Sequence, residues 1–279
     1  MNETIRSILC PSCRRLISSD EKNCPYCGMK NPGSGLKGLA LSWMSGGEDS
    51  ALKIIIAANV AFFLFSILIG ARTTSFSMHP FSFLSPGNKS LILLGATGVF
   101  PIDSLHRWWT IISANYLHGG LLHLVFNMLA LSQLGRLAAR EYGVARMLSI
   151  YTLGGAFGFF VSYLAGVTLT IGASAAVCSL IGAMLYYGKS RGGLYGDLLY
   201  KRIGGWAVGI FLFGLLVPGI NNWGHGGGLG AGIALGYLLS YTEKRPESSI
   251  HRTVGAACAL ATAAVLLWAA GSSVYYMGV

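Results

Sequence analysis

Charge is scarce in this sequence. Only 11% of its 279 residues are Asp, Glu, Lys or Arg, against about 25% in an ordinary soluble domain. With 53% hydrophobic residues, that scarcity excludes a purely soluble chain and points to a polytopic membrane protein with a small soluble part. Acidic residues are rarer still, 10 against 20 basic ones, for a net charge of +10. The cations lie scattered between apolar segments and form no single basic face, which excludes a nucleic-acid partner. The first 50 residues lack an apolar stretch, so no signal peptide is visible and the N-terminus is expected to be retained. No carboxylate falls in the apolar runs, Asp103 belonging to a loop, and no inverted repeat is evident. Both absences weigh against a channel or transporter with a histidine-lined path.

Six cysteines are of two kinds. Cys178 and Cys258 lie in apolar segments, where a thiol is usually a small core residue. Cys10, Cys13, Cys24 and Cys27 form two C-x-x-C pairs, "CPSC" and "CPYCG", ten residues apart. Two such turns can present four thiolates to one tetrahedral zinc ion, whose binding would supply the folding energy that so short a segment lacks. The rival assignment is two disulfides, which needs an oxidising compartment. Residues 1–30 are therefore read as a structural zinc ribbon with no chemistry of its own and an unknown partner. Residues 31–50, rich in Gly and Ser, read as a linker.

Apolar runs of helix length fall at about 52–70, 116–138, 146–166, 171–188, 203–221, 224–241 and 253–273. Basic residues orient them. The tail to the start of the first span holds Arg6, Arg14, Arg15, Lys22, Lys30, Lys37 and Lys53. Connections on the same side hold Arg136, Arg140 and Arg146, then Lys189, Arg191, Lys201 and Arg202, then Lys244, Arg245 and Arg252. The opposite side has only Arg72, Lys89 and Arg107, all in one long loop. The positive-inside rule then places the N-terminus in the cytoplasm and the C-terminus outside. A reducing cytoplasm favours zinc over disulfides. The long loop, about 71–115, carries Phe76, Phe81, Phe83, Phe100, Trp108 and Trp109. It is expected to lie partly in the outer leaflet rather than to form a domain.

Polar side chains within the spans cluster in three places. The second span opens "HGGLLHLVFNM", with His118, His123 and Asn127; the last two share a helix face. The fourth carries Ser174 in "IGASAAVC", and the sixth carries His225 in "NNWGHGGGLGAG". By the topology all three lie just below the outer surface, where such groups are unfavourable unless they face a bundle interior or a wet cavity. Gly228, Gly232 and Gly236 recur every four residues, a seam that lets a neighbouring helix approach closely. The fourth span, with Gly172, Ala175, Ala176, Ser179, Gly182 and Ala183, is suited to be that neighbour. Taken singly, Ser174 reads as a packing residue, His225 as a buried hydrogen-bonder, and His123 with Asn127 as an interhelical clamp. Taken together, a hydroxyl beside an imidazole is an activated nucleophile, with His123, Asn127 and the Ser174 N–H as oxyanion donors.

These residues resemble the rhomboid intramembrane serine proteases. That family carries H-x-x-x-N on its second span, G-x-S-G at its fourth, and a His followed by G-x-x-x-G spacing on its sixth. Here they read His123 to Asn127, Gly172-Ala173-Ser174-Ala175, and His225 followed by Gly228 and Gly232. His118 matches the additional histidine that often precedes the pair. The resemblance covers about 52–241. Three positions differ: Ala175 stands for Gly, Trp109-Thr110 for Trp-Arg, with Arg107 nearby, and Cys178 for the tyrosine under the histidine.

The resemblance implies an all-α polytopic protein. A six-span core, 51–241, is followed by one further helix, 242–279, a 6+1 arrangement. It implies a serine endopeptidase acting on single-span or polytopic membrane protein substrates in the bilayer. Ser174 and His225 form a dyad without an acidic third member and without a catalytic cofactor. His118, Gly172, Cys178 and Gly228 support that pair. Water would reach the site from outside under the loop near 219–224. A substrate helix would arrive past the fifth span, gated by Phe213 and Leu216. A multi-pass protein of a bacterial inner membrane is expected, its site open on the outer side. The alternative is a rhomboid-like pseudoprotease that binds membrane clients without cutting them.

Overall fold

The computed structural model describes residues 7–10, 15–18, 21–26, 28, 47–70, 75–76 and 83–278. The chain divides into two compact units, Met1–Ile54 and Ile55–Val279. In the first, β1 (Ser7–Leu9) and β2 (Leu16–Ser18) pair antiparallel, Leu9 opposite Leu16. The N–H of Cys10 donates to the Arg15 carbonyl at 2.9 Å and closes the hairpin. Cys10, Ile17 and Cys24 form a small buried cluster with Ile8 at its edge. Cys13 and Cys27 lie outside the described residues, and among the described residues no three ligand-type side chains converge on a metal position.

Helix α1 (Gly47–Ile69) begins inside the stretch read as linker. In chain order there follow β3 (Ser75–Phe76), β4 (Phe83–Ser85), α2 (Asn88–Leu93) and α3 (Thr110–Ser113). Then come the long helices α4 (Leu121–Tyr142), α5 (Val144–Leu164), α6 (Ser174–Arg191), α7 (Gly193–Leu216), α8 (Asn222–Leu239) and α9 (Ser249–Gly278). Among the described residues the fold is all-α apart from two short antiparallel strand pairs and the Thr97–Thr170 bridge. Among the described residues, α1, α4, α5, α7 and α9 are long and apolar enough to cross a membrane. The fourth and sixth spans of the sequence reading are the 18-residue helices α6 and α8. Polar residues and glycines dilute the hydropathy of both.

α6 is the centre of the bundle. Every residue from Ala175 to Met184 is buried, as in a helix shielded on all sides by others. Its neighbours are bonded to it: Ser179 Oγ donates to Ile150 O of α5 at 2.9 Å, and Tyr142 Oη of α4 donates to Ala183 O at 2.7 Å. The predicted seam joins α6 to α8. A β-carbon on Gly228 would strike the Ala175 carbonyl oxygen, one on Gly232 that of Ser179, and one on Gly182 that of Leu229.

Two expectations need correction. The fifth span, set at 203–221, is α7 and runs from Gly193 to Leu216. Asp197, Lys201 and Arg202 project from an exposed face of its first turns and do not interrupt it. Arg146, assigned to the connection between the second and third spans, lies in the first turn of α5 and is fully buried. Its guanidinium donates to Ser240 O and Arg245 O, each at 2.6 Å, at the C-terminus of α8, where a cation complements the helix dipole.

The loop before α4 folds onto the helices. Leu91, Leu94, Ala96 and Leu117 form a buried cluster against Phe62, Phe65 and Ile69 of α1 and Leu169 and Ile171. Thr97 exchanges backbone bonds with Thr170 at 3.1 and 2.7 Å, and the N–H groups of Val99 and Phe100 donate to Val167 and Thr168. The segment leading into α6 is thereby fixed.

Candidate active site

Ser174 is the first residue of α6, and its place follows from the chain before it. Gly172 has φ +125°, a conformation side chains rarely adopt, and its N–H donates to Ala114 O at 2.9 Å. This kink ends the paired segment and starts the helix. The first helical bond recorded there runs from Val177 N–H to Ala173 O. The N–H groups of the opening turn thus lie at the positive end of α6, a site suited to negative charge.

His225 lies in the first turn of α8, its ring buried. Its Nε2 is 2.9 Å from Ser174 Oγ, so one hydrogen bond joins residues 51 positions apart. His225 Nδ1 has no hydrogen-bond partner among the described residues. Among the described residues no carboxylate orients the ring.

His123 and Asn127 come from α4. The Gly119 N–H donates to His123 Nδ1 at 3.3 Å, so the neutral ring carries its proton on Nε2. That nitrogen lies 2.7 Å from where a β-carbon on Gly172 would stand, beside Ser174. The ring therefore also explains why Gly172 lacks a side chain. Asn127 Nδ2 donates to the His123 carbonyl at 2.9 Å, leaving the second N–H of its amide. His118 precedes α4, is fully buried, and packs edge-on to His123 with centroids 5.1 Å apart. Neither of its ring nitrogens has a partner among the described residues.

Ser174, His225, His123 and Asn127 line one cavity of about 760 Å³. Its remaining walls come from α4, α7, the segment 167–171, the loop 217–222 and the first turns of α6 and α8, including Phe126, Ile210 and Phe213. Leu216, expected beside Phe213 as a gate, is 80% exposed and does not line the cavity. The buried residues of α7, Gly196, Leu199 and Ile203, all fall in its first half. Its second half stands away from the core.

The three departures from the rhomboid pattern lie off the cavity. Ala175 is buried in an apolar cluster with Ala114 and Phe159. Cys178 is buried within α6. Thr110 Oγ1 donates to Arg107 O at 2.6 Å and can accept from the Thr97 hydroxyl 2.9 Å away, while Arg107 Nη1 donates to Ile92 O at 3.2 Å. These bonds brace the loop from within.

One contributor went unnoticed in the sequence. Asn221 caps α8, its Oδ1 accepting from the Gly224 N–H at 2.9 Å. The signal was an asparagine just before a helical run.

Residues 105–242 match the family model described as Rhomboid domain. The chain is 32% identical over 158 residues to RHOMBOID-like protein 4 of Arabidopsis thaliana, covering 56% of this chain and 40% of that one. It is 32% identical over 169 residues to RHOMBOID-like protein 6, mitochondrial, of the same plant, covering 59% and 55%. It is 30% identical over 191 residues to Rhomboid protease GluP of Bacillus subtilis (strain 168), covering 67% and 34%. The chain thus spans about half or less of the length of these relatives. They come from a bacterium and from a plant, and so do not single out a bacterial inner membrane. With the domain match, these likenesses and the bundle around α6, the chain is a multi-pass membrane protein that belongs to the rhomboid family.

Proposed function

We propose that the protein is an intramembrane serine endopeptidase that cleaves substrate transmembrane segments, with Ser174 as nucleophile and His225 as base. The observation that carries this reading is the 2.9 Å contact between Ser174 Oγ and His225 Nε2 in a cavity that also holds His123 and Asn127. His225 takes the hydroxyl proton as Ser174 Oγ bonds to the scissile carbonyl carbon. It returns that proton to the leaving amine as the peptide C–N bond breaks. Water then hydrolyses the acyl ester by the same route in reverse. Negative charge on the tetrahedral oxygen meets the Ser174 N–H, the Nε2–H of His123 and the free N–H of Asn127. The exposed second half of α7 and the cavity wall it shares with α4 suit lateral arrival of a substrate helix past Phe213. The site opens on the outer side, with the N-terminus cytoplasmic. That the departures at Ala175, Thr110 and Cys178 lie off the cavity supports cleavage over client binding alone.

The test is labelling of the purified full chain with a serine-directed fluorophosphonate, followed by cleavage of a model transmembrane substrate. Labelling and cleavage are expected in the native chain and are lost in Ser174→Ala and His225→Ala. Labelling that persists in Ser174→Ala would sink the dyad. Labelling without cleavage would favour the client binder.

For the N-terminal unit the same reading includes one structural zinc held by Cys10, Cys13, Cys24 and Cys27. In support, Cys10 and Cys24 share a buried cluster at the end of a hairpin too small for an apolar core. About one equivalent of zinc per chain, reduced in Cys10→Ser, is the expected result of elemental analysis.

A further inference from the structure

We infer that Asn221 is a positioning residue that holds the turn bearing His225 in register with the segment bearing Ser174; the inference rests on reading those two as the reacting pair. Both ends of its amide are engaged. Oδ1 accepts from the Gly224 N–H at 2.9 Å, and the Asn221 carbonyl accepts from the His225 N–H at 3.1 Å. Together these bonds define the first turn of α8, where His225 sits. Nδ2 points the other way. It donates to Ser162 Oγ at 2.7 Å and to Thr170 Oγ1 at 3.0 Å, so both amide hydrogens are used.

The two acceptors are themselves fixed. Ser162 is fully buried and donates to Gly158 O at 3.1 Å, one turn back on α5. Gly158 faces α8 so closely that a β-carbon there would come within 2.7 Å of Gly224 O. Thr170 is held by its double bridge to Thr97 and lies four residues before Ser174, across the Gly172 kink. One carboxamide therefore ties three parts together: the base-bearing turn, the wall of α5, and the lead-in to the nucleophile.

The position matters because His225 lacks any partner at Nδ1 among the described residues. A dyad without an orienting carboxylate must hold its imidazole through the backbone of its own turn. Asn221 supplies that hold. A displacement of about 1 Å between reacting groups can cost about 10²-fold in rate.

Three variants separate capping from bridging. Asn221→Ala removes both. Asn221→Ser keeps a good N-cap oxygen but is too short to reach Ser162 and Thr170. Asn221→Asp keeps the cap and offers a second oxygen to which the hydroxyls of Ser162 and Thr170 can turn and donate. The experiment reads two quantities on the full chain in micelles. One is the rate of fluorophosphonate labelling with kcat and KM for a model transmembrane substrate. The other is the ring ¹⁵N resonances of His225, assigned by their loss in His225→Gln. Asn221→Ala and Asn221→Ser are expected to lower labelling and kcat by about 10²-fold, with KM within twofold. The His225 Nε2 resonance should move toward that of an imidazole without a hydroxyl partner. Asn221→Asp should recover most of both. Native rates and an unmoved resonance in Asn221→Ser would overturn the inference, because the bridge would then hold nothing. The resonance needs no turnover. If the native chain neither labels nor cleaves, the protease reading falls, while the spectrum still decides the role of Asn221.

Discussion

Gly228 of α8 stands against the carbonyl oxygen of Ala175 on α6 with no room for a β-carbon between them. Since Ala175 follows Ser174 and Gly228 lies one turn after His225, this contact sets how near the two reactive residues come. Backbone cannot give way as a flexible side chain can, so Gly228→Ala must push the helices apart. Labelling by a fluorophosphonate is expected to fall at least tenfold, and Gly232→Ala, against Ser179 O, should do the same. Gly226 and Gly230 face open space. Alanine there should leave the labelling rate within twofold. Equal rates in all four variants would show that the seam does not control the site.

His123 is expected to act through its Nε2–H. The Gly119 N–H holds the other nitrogen as an acceptor, so the donor faces Ser174 before any substrate arrives and needs no reorganisation. Removing one such oxyanion donor costs about 10²–10³-fold in kcat. His123→Ala should lose that much with KM little changed, and Asn127→Ala should lose less. The Asn127 amide already spends one N–H on the His123 carbonyl. Steady-state cleavage of a model substrate measures both. A native kcat in His123→Ala would remove the residue from the oxyanion site.

Ala175 stands where the rhomboid pattern described above has glycine, and the sequence leaves open whether its methyl crowds the oxyanion site. In the structure that methyl belongs to an apolar cluster with Ala114 and Phe159 and is 1% exposed. Ala175→Gly should therefore not raise kcat. It should instead destabilise the chain by about 1–2 kcal/mol, the sum of a buried methyl and a poorer helix former. Thermal unfolding and kcat measured on one preparation decide the point. A severalfold gain in kcat would mean that the methyl does obstruct the site.

What was legible in the sequence was whatever leaves a periodic or compositional trace. The seven helical segments follow from runs of apolar residues. The pairing of α6 with α8 follows from glycines four apart, because small residues at that spacing make a continuous flat strip. The ends of α7 were misplaced because Lys201 and Arg202 read as loop, whereas an exposed helix face carries charge without breaking. Asn221 left only the trace of a cap, since its partners Ser162 and Thr170 lie 59 and 51 positions away. Arg146 was counted with the connection between the second and third spans, because composition reports a charge and not its place or burial.

Arg146 is expected to be a pin for the far end of α8. Its guanidinium meets Ser240 O and Arg245 O, and its backbone N–H meets Glu247 Oε1 at 3.1 Å. It thus joins the start of α5 to the connection between α8 and α9. Arg146→Met would take the charged donor from those part-buried carbonyls, at about 1–3 kcal/mol in all. Arg146→Lys should rescue little, because an ammonium cannot span both carbonyls as a planar fork does. Both variants should lower Tm by several degrees, while Arg140→Met, at a side chain 67% exposed, should not. His225 lies about 20 Å away along α8, at 1.5 Å of rise per residue. Below the lowered Tm the labelling rate should therefore stay native. A native Tm in Arg146→Met would show that the pin carries no load. A native Tm with slowed labelling would make it part of the site instead.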